Sequence, residues 1–231
     1  MVLWGFFVPG GVDCSRAPCM MWSIPMTNFL EEYMRGSVQM RKHGNIHVPE
    51  GFDYTCFEDY VLRNGALLSS SALTEDEEQT VKEALDRAAG VGVDVHEMKQ
   101  CFANSQMLLL MSDEPDLTYY EGYAAGRMGF PVHHGWLGIN GKIIDLTWLL
   151  KEPDTSRSLL PQHPVGELPE NWLYWGVPFE CPDYIRFRVD TREIIGSLID
   201  DMEGDYPLLR GIDPNDDESW MAFAAEVEDD T

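Results

Sequence analysis

The dipeptide Asn140-Gly141 constrains the fold of this chain more than any other feature of its 231 residues. It separates two runs, 132–139 and 142–148, in which apolar and polar residues alternate. Asn-Gly between two such runs is the strongest short-range signal for a β-hairpin with a two-residue type I′ turn. The sequence therefore predicts a tight antiparallel reversal at this point.

The predicted register assigns the polar residues of the hairpin to faces. Counting back from the turn, Trp136 pairs with Asp145 and His134 pairs with Thr147. Because side chains alternate between the two faces of a strand, we expect these four on one face and His133 on the other. His134 and Asp145 are then diagonal neighbours, roughly 7 Å apart at Cβ. A histidine held by a carboxylate supplies two of the three members of a catalytic triad.

Cys101 is the candidate nucleophile that would complete this triad. A helix is expected at about 97–111, with Cys101 in its first turn or two. A helix N-terminus and a neighbouring imidazolium both lower the pKa of a thiol, and the thiolate is the attacking species. Most lone cysteines are instead small buried hydrophobic residues. The combination with His134 and Asp145, rather than Cys101 alone, therefore indicates catalysis.

Four further side chains are candidates for substrate binding or oxyanion stabilisation: Gln100, Asn104, Glu121 and Trp136. The backbone N–H of Cys101 is the natural oxyanion donor, with the side chain of Gln100 or Asn104 beside it. Glu121 either binds a cationic substrate group, braces the site or is a solvated strand acid, since alternation alone does not say which face is inward. Trp136 is expected in the core and as a pocket wall.

The segment 101–148 resembles the core of the transglutaminase-like branch of the papain-like cysteine hydrolases, which includes leader peptidases of lasso-peptide maturation. In that group a helix-borne Cys precedes a strand with a His-Ala-Trp-like motif, followed by a short hairpin and an Asp. This chain has Cys101, then His134-Gly135-Trp136, then Asp145. The resemblance implies that Cys101 is the nucleophile, His134 the general base and acid, and Asp145 the orienting group.

The same resemblance implies an α+β fold with a papain-like or transglutaminase-like core. In this fold the helix with the cysteine packs on an antiparallel sheet that carries the histidine and the aspartate. Three segments are expected: an N-terminal extension at 1–71, the cysteine-hydrolase-like core at 72–150, and strands and helices at 151–231 that complete or cap the core and end in an acidic tail. The separation of helices from a later run of strands also favours the α+β class.

Local signals predict several elements around the hairpin. A T-x-x-E capping box at the start of an apolar periodicity predicts a helix at 75–89. Strands are predicted at 118–124, 173–179 and 183–189, and a helix at 192–202.

Charge and composition limit the class of partner. A net charge of −24 disfavours nucleic acid and anionic membrane surfaces as partners. No run approaches the ~18 apolar residues of a membrane span, and the N-terminus lacks the features of a signal peptide. Five widely spread cysteines favour a reducing compartment, so a cytoplasmic location is expected. The expected partner is a peptide or protein substrate, for which the charge favours a basic one, and no feature specifies an oligomeric state.

The predicted function is cysteine-dependent acyl transfer through a thioester, completed by water in a hydrolysis or by an amine in a transfer. Neither a metal nor an organic cofactor is required. Two alternatives stay open. One is a non-catalytic acidic module on the same fold that binds or inhibits a basic partner. The other is a zinc hydrolase that uses His43, His47 and Cys56, although their spacing matches no closed zinc site.

Overall fold

The computed structural model describes residues 29–68, 71–95, 100–112, 114–126, 130–147 and 172–229. Within these ranges the chain forms six helices and one five-stranded antiparallel sheet. The α+β class predicted from the sequence is confirmed. The first part of the expected N-terminal extension, the predicted helix start at 97–99, Trp148 and the last two residues of the acidic tail lie outside the described residues.

The helices are α1 (Phe29–His43), α2 (Phe57–Asn64), α3 (Glu75–Gly90), α4 (Cys101–Ser112), α5 (Pro182–Thr191) and α6 (Asp217–Asp229). The strands are β1 (Ala66–Leu68), β2 (Leu117–Ala125), β3 (Pro131–Ile139), β4 (Lys142–Ile144) and β5 (Leu173–Phe179). In the sheet they follow the order β1-β5-β2-β3-β4. Strands from all three predicted segments therefore enter a single sheet, in which β5 lies between β1 and β2.

The predicted hairpin turn is confirmed. Asn140 and Gly141 have φ angles of 50° and 76°, and positive φ at both central residues defines a type I′ turn. Ile139 pairs with Lys142 in the predicted register. The second strand is shorter than predicted: the expected run at 142–148 ends after three residues as β4.

The capping box of α3 also anchors this hairpin. Thr74 and Glu77 form both reciprocal hydrogen bonds of the box, and α3 begins at the predicted residue. The Glu77 carboxylate in addition accepts hydrogen bonds from Lys142 Nζ at 2.5 Å and Asn140 Nδ2 at 3.1 Å. The start of α3 is thus tied to the turn between β3 and β4.

Two predictions in the C-terminal part are wrong. The residues expected as a strand at 183–189 belong to α5, which begins with Pro182 in the first turn, where proline is tolerated without loss of a hydrogen bond. Its buried residues follow helical rather than alternating spacing: Tyr184, Ile185 and Arg188. The helix expected at 192–202 is instead a series of bends and turns.

Both faces of the sheet are covered by buried side chains. α4 packs against β2 and β3 on one face, and α3 packs on α4. The other face carries a smaller cluster: Ala124, Trp136, Ile143 and Tyr174. In the portion of the chain that the structure describes, no helix combines the length and apolar character needed to cross a membrane.

Candidate active site

The first turn of α4 lies against the outer edge of β3. The pairing of β3 with β4 reaches back only to Leu137, so among the described residues no strand covers Gly135 on that side. Its carbonyl accepts a hydrogen bond from Ser105 Oγ at 3.3 Å, and its N–H donates to the sulfur of Cys101. The N-terminus of α4 therefore occupies the position that a neighbouring strand would otherwise take.

Glycine at position 135 makes this approach possible. A Cβ added there would lie 2.8 Å from Phe102 Cδ1, 2.9 Å from the Tyr119 hydroxyl and 3.2 Å from Phe102 Cα. Such contacts are shorter than packed side chains allow, so any larger residue would push α4 away from β3.

The edge contact places Cys101 and its neighbour on opposite sides of β3. The thiol of Cys101 interacts with His134, whereas the ring of Phe102 lies 5.0 Å from the ring of His133. His133 is also stacked on Phe57, with ring centroids 5.3 Å apart. The two adjacent histidines thus project to different faces, as the hairpin register predicts.

His134 and Asp145 form a buried pair. His134 Nε2 lies 2.8 Å from Asp145 Oδ2, which leaves Nδ1 for the cysteine. Asp145 follows directly after β4, and Oδ1 accepts the backbone N–H of Thr147 at 2.9 Å. Oδ2 accepts a second hydrogen bond, from the Tyr174 hydroxyl at 2.7 Å. The carboxylate is therefore held by three donors in an environment with little exposure to water.

The electrostatics of these groups favour a charged sulfur and a charged imidazole. Burial raises the pKa of the Cys101 thiol, but the hydrogen bond and positive charge of His134, together with the N–H groups of Gly135 and Phe102, hold that pKa below its usual value. Burial likewise lowers the pKa of His134, but the charge and hydrogen bond of Asp145, with a smaller contribution from Cys101, raise it to about 10.

The Asp145 carboxyl group is also charged, which completes the set of interacting charges at the site. Burial raises the pKa of Asp145, yet the positive charge of His134 and the hydrogen bonds it receives hold that pKa below its usual value. The thiolate and imidazolium therefore coexist from the lowered thiol pKa up to about pH 10. Such a pair can attack an electrophilic carbon and then supply a proton to the leaving group.

The ring of Trp136 packs against the ring of His134 and does not line an open pocket. It is fully buried, and its ring is stacked on His134 with centroids 6.1 Å apart. Tyr174 packs edge-on against it at 5.1 Å. Trp136 thus lies in the core, and its expected role in binding substrate or an oxyanion stays a prediction.

The Glu121 carboxylate is held by hydrogen bonds inside the protein. It is fully buried and accepts hydrogen bonds from the Tyr119 hydroxyl, Ser197 Oγ and the N–H groups of Leu198 and Ile199. Its Oε1 lies 3.1 Å from His133 Nε2. Burial raises the pKa of Glu121, but His133 and the other donors hold it below its usual value. Of the roles expected for this residue, only bracing fits these contacts.

The remaining oxyanion candidates flank the cysteine on α4. Gln100 is exposed, and its carbonyl accepts the N–H of Asn104 at 2.7 Å to close the first turn. Asn104 is buried one turn into the helix. The N–H of Cys101 has no acceptor within α4, since the first N–H groups of any helix lack one. Gln100 is therefore the more exposed of the two side-chain candidates and directly precedes the helix N-terminus at Cys101.

Tyr174 and the Gly135 N–H belong to the candidate site, although sequence patterns do not identify them. Strand alternation places Tyr174 on a buried face of β5, but its contact with Asp145 depends on β5 entering the sheet beside β2. No local sequence pattern predicts that β5 pairs with β2, because many residues separate the two strands along the chain. Gly135 stands out in the sequence only as part of a motif, because the approach of α4 is a tertiary contact.

The zinc alternative is not supported. His43 and His47 are exposed, and Cys56 is buried. Within the described ranges no three His, Cys, Asp or Glu side chains are grouped as metal ligands.

No protein-family model, curated protein or solved structure matches this chain. The arrangement of its own side chains is therefore the basis for assigning a function.

Proposed function

We propose that this protein is a cysteine-dependent acyl-transfer enzyme in which Cys101 is the nucleophile, His134 the general acid and base, and Asp145 the orienting carboxylate. The single observation that carries the proposal is the buried Asp145–His134 pair meeting a thiol at a helix N-terminus. The order of helix-borne cysteine, strand histidine and aspartate after a hairpin also supports a papain-like or transglutaminase-like core.

The first half-reaction forms a thioester. The Cys101 thiolate attacks the carbonyl carbon of an amide, and the carbonyl oxygen becomes an oxyanion that the N–H of Cys101 and the exposed side chain of Gln100 stabilise. When the tetrahedral intermediate collapses, the C–N bond breaks and the His134 imidazolium gives its proton to the departing amine.

The second half-reaction releases the acyl group. Neutral His134 takes a proton from water or from an acceptor amine, which attacks the thioester carbon. The C–S bond breaks and the sulfur leaves as thiolate, which restores the ion pair. Asp145 stays ionised throughout and stabilises the imidazolium. A peptide or protein amide is the proposed substrate, and the net charge of −24 favours a basic one.

Selective alkylation tests the nucleophile. At neutral pH, substoichiometric iodoacetamide is expected to modify Cys101 first, as read by peptide mass spectrometry. Cys56 is an internal control that should stay unmodified, because burial raises its pKa to about 12. Cys101→Ala should abolish the fast reaction, whereas Cys181→Ala should keep it. Equal fast labelling in the Cys101→Ala variant would remove Cys101 as the reactive thiol.

An activated ester tests the acyl-transfer step without knowledge of the natural substrate. With p-nitrophenyl acetate we expect a burst of nitrophenolate and an acetyl group on Cys101 that water or hydroxylamine then removes. His134→Gln should slow both formation and loss of this thioester. If wild-type protein reacts no faster than its Cys101→Ala variant, the non-catalytic binding module becomes the better account.

A further inference from the structure

The hydroxyl of Tyr174 and the ring of His134 share one carboxylate oxygen. Asp145 Oδ2 accepts the hydroxyl at 2.7 Å and lies 2.8 Å from His134 Nε2. Tyr174 is fully buried, so this hydroxyl donates within the protein rather than to bulk water. The contact is specific to one oxygen, because Oδ1 accepts the N–H of Thr147 instead.

The fold holds Tyr174 rigidly in this position. In the centre of the sheet, Tyr174 of β5 pairs with Ala124 of β2. Its ring packs edge-on against Trp136, which lies over Gly176: a Cβ at position 176 would be 2.6 Å from the indole ring. The small residue on β5 thus makes room for the indole against which Tyr174 is fixed.

We propose that Tyr174 is a positioning residue whose hydroxyl both fixes Asp145 and weakens the stabilisation that Oδ2 gives to the imidazolium of His134. The inference deepens the proposed function, since it concerns how the same histidine takes up and releases a proton. The Tyr174 hydroxyl reaches the site through Asp145 Oδ2, and its ring lies 6.4 Å, centroid to centroid, from the ring of His134.

The direction of the effect follows from hydrogen bonding to a charged acceptor. A carboxylate that accepts an additional O–H bond has less charge to offer a second donor. Among the described residues, the groups that face His134 are Cys101 from α4, Asp145 and Thr147 after β4, Trp136 from β3 and Tyr174 from β5. Without the hydroxyl, Asp145 would stabilise the imidazolium more strongly and the pKa of His134 would rise further.

The limit that Tyr174 sets on the His134 pKa affects the proton transfers of the proposed reaction. A general acid is most effective when its pKa does not lie far above the operating pH. His134 already has a pKa raised to about 10 by Asp145 and Cys101. With one donor fewer on Asp145, the imidazolium would be stabilised more strongly and would release its Nδ1 proton to the leaving amine less readily.

The test is a histidine titration that does not depend on catalysis. It is performed in the Cys101→Ala background, because loss of the thiolate lowers the pKa of His134 into a range where the fold can be titrated. The ¹⁵N shifts of the His134 ring are followed against pH with and without Tyr174→Phe. We expect a higher His134 pKa in the Tyr174→Phe variant. An unchanged or lower pKa would overturn the proposal.

A matched control and a second substitution keep the result interpretable. Tyr184→Phe removes another buried tyrosine hydroxyl, one with no hydrogen-bond partner among the described residues, and should leave the His134 pKa unchanged. If Tyr174→Phe does not fold, 3-fluorotyrosine at position 174 provides a stronger donor and should lower the His134 pKa; no downward shift there would contradict the proposal. Failure of the proposed function would appear separately, as absence of Cys101-dependent alkylation in otherwise wild-type protein.

Discussion

At the scale of single residues, the site consists of charges that are expensive to bury unless each has its partner. Asp145 has three donors, and the imidazole of His134 lies between that carboxylate and a sulfur. When a charged group is buried without a partner, its pKa shifts until the neutral form is favoured. The thiolate and the imidazolium therefore depend on each other and on Asp145.

Asp145→Asn is expected to lower the pKa of His134 from about 10, because the largest contribution that raises it is lost. The thiol pKa of Cys101 should rise in turn, since a neutral imidazole no longer supports the thiolate. Titration of the ¹⁵N shifts of the His134 ring checks the first effect and alkylation rates check the second. Asp200→Asn, at an exposed acid outside the site, is the matched control. A His134 pKa that stays near 10 in Asp145→Asn would contradict this view of the pair.

The protonation of the pair also links residue chemistry to stability. A histidine whose pKa is raised in the folded state stabilises that state fully below its unfolded pKa of ~6.5. This contribution is lost as the pH rises through about 10. In the Cys101→Ala background, where no thiol titrates beside it, the protein that keeps His134 should therefore lose more free energy of unfolding than its His134→Gln derivative between pH 7 and pH 10, as urea titrations at several pH values would measure. Parallel losses in the two proteins would contradict the raised pKa.

At the scale of elements, α4 and β3 form the site because one glycine lets them touch. Gly135 faces Phe102 and Tyr119 at distances that leave no room for a methyl group. The same residue supplies an N–H to the sulfur of Cys101 and a carbonyl to Ser105. The contact between helix and strand edge is thus both a packing contact and part of the electrostatics of the thiol.

Gly135→Ala is expected to move the start of α4 away from β3 and so raise the thiol pKa of Cys101. Overpacking of this kind also costs about 1–3 kcal/mol of stability. Alkylation rates across pH and urea unfolding measure the two effects. Gly36→Ala is the control, since Gly36 lies inside α1 with nothing within 4 Å of the added Cβ. That substitution should stabilise the helix by roughly 0.5–1 kcal/mol and leave Cys101 unchanged. A thiol pKa unaltered by Gly135→Ala would show that the edge contact does not govern it.

The link between α3 and the hairpin predicts an acid-dependent loss of stability. Hydrogen bonds from Lys142, Thr74 and Asn140 lower the pKa of Glu77 from 4.5 to about 2. A carboxylate with a depressed pKa stabilises the fold above its unfolded pKa, and this contribution is lost as the pH falls through the folded value. The stability difference between wild type and Glu77→Gln should therefore shrink from pH 4.5 to pH 2. The exposed acid Glu75 in the same turn provides the control Glu75→Gln, whose difference in stability from wild type should vary less with pH. A stability difference between wild type and Glu77→Gln that stays constant from pH 4.5 to pH 2 would contradict the lowered pKa.

At the scale of the whole molecule, residues far apart in sequence hold the site together. β5 enters the sheet between β1 and β2 and brings Tyr174 to Asp145. Asp201 stabilises the bends at 192–201 through ion pairs with the guanidinium groups of Arg188 and Arg192, each at 2.6 Å. All three of these side chains are buried. The C-terminal part therefore belongs to the same core as the residues of the candidate site.

Asp201→Asn tests this integration. It would leave two buried guanidinium groups without their carboxylate, and breaking a buried ion pair costs about 3–5 kcal/mol. Urea unfolding should show a single cooperative transition at lower urea concentration than for wild type. The adjacent exposed Asp200 gives the control Asp200→Asn, with a change within about 0.5 kcal/mol. If the Asp201→Asn variant unfolded as late as the control, the cluster would have no such role.

The sequence predicts those parts of the site that depend on local signals. The Asn-Gly turn, the alternation around it and the capping box of α3 act over a few residues, so these patterns alone suffice to pair His134 with Asp145. The position of β5, the contact at Gly135 and the hydroxyl partner of Asp145 result from long-range packing that no local periodicity encodes. The stretch at 183–189 resembles a strand because its apolar residues alternate, although Pro182 starts a helix there.

The most direct test of the central claim is the pH dependence of iodoacetamide alkylation at Cys101, measured in wild type and in His134→Gln. In the wild-type protein the rate should reach half its plateau at a pH below the usual thiol pKa of 9.0, because the hydrogen bond and charge of His134 and the N–H groups of Gly135 and Phe102 together outweigh the effect of burial. In His134→Gln only burial remains as the main influence, so the midpoint should move above 9.0. A wild-type midpoint at or above 9.0, or identical midpoints in the two proteins, would contradict the account.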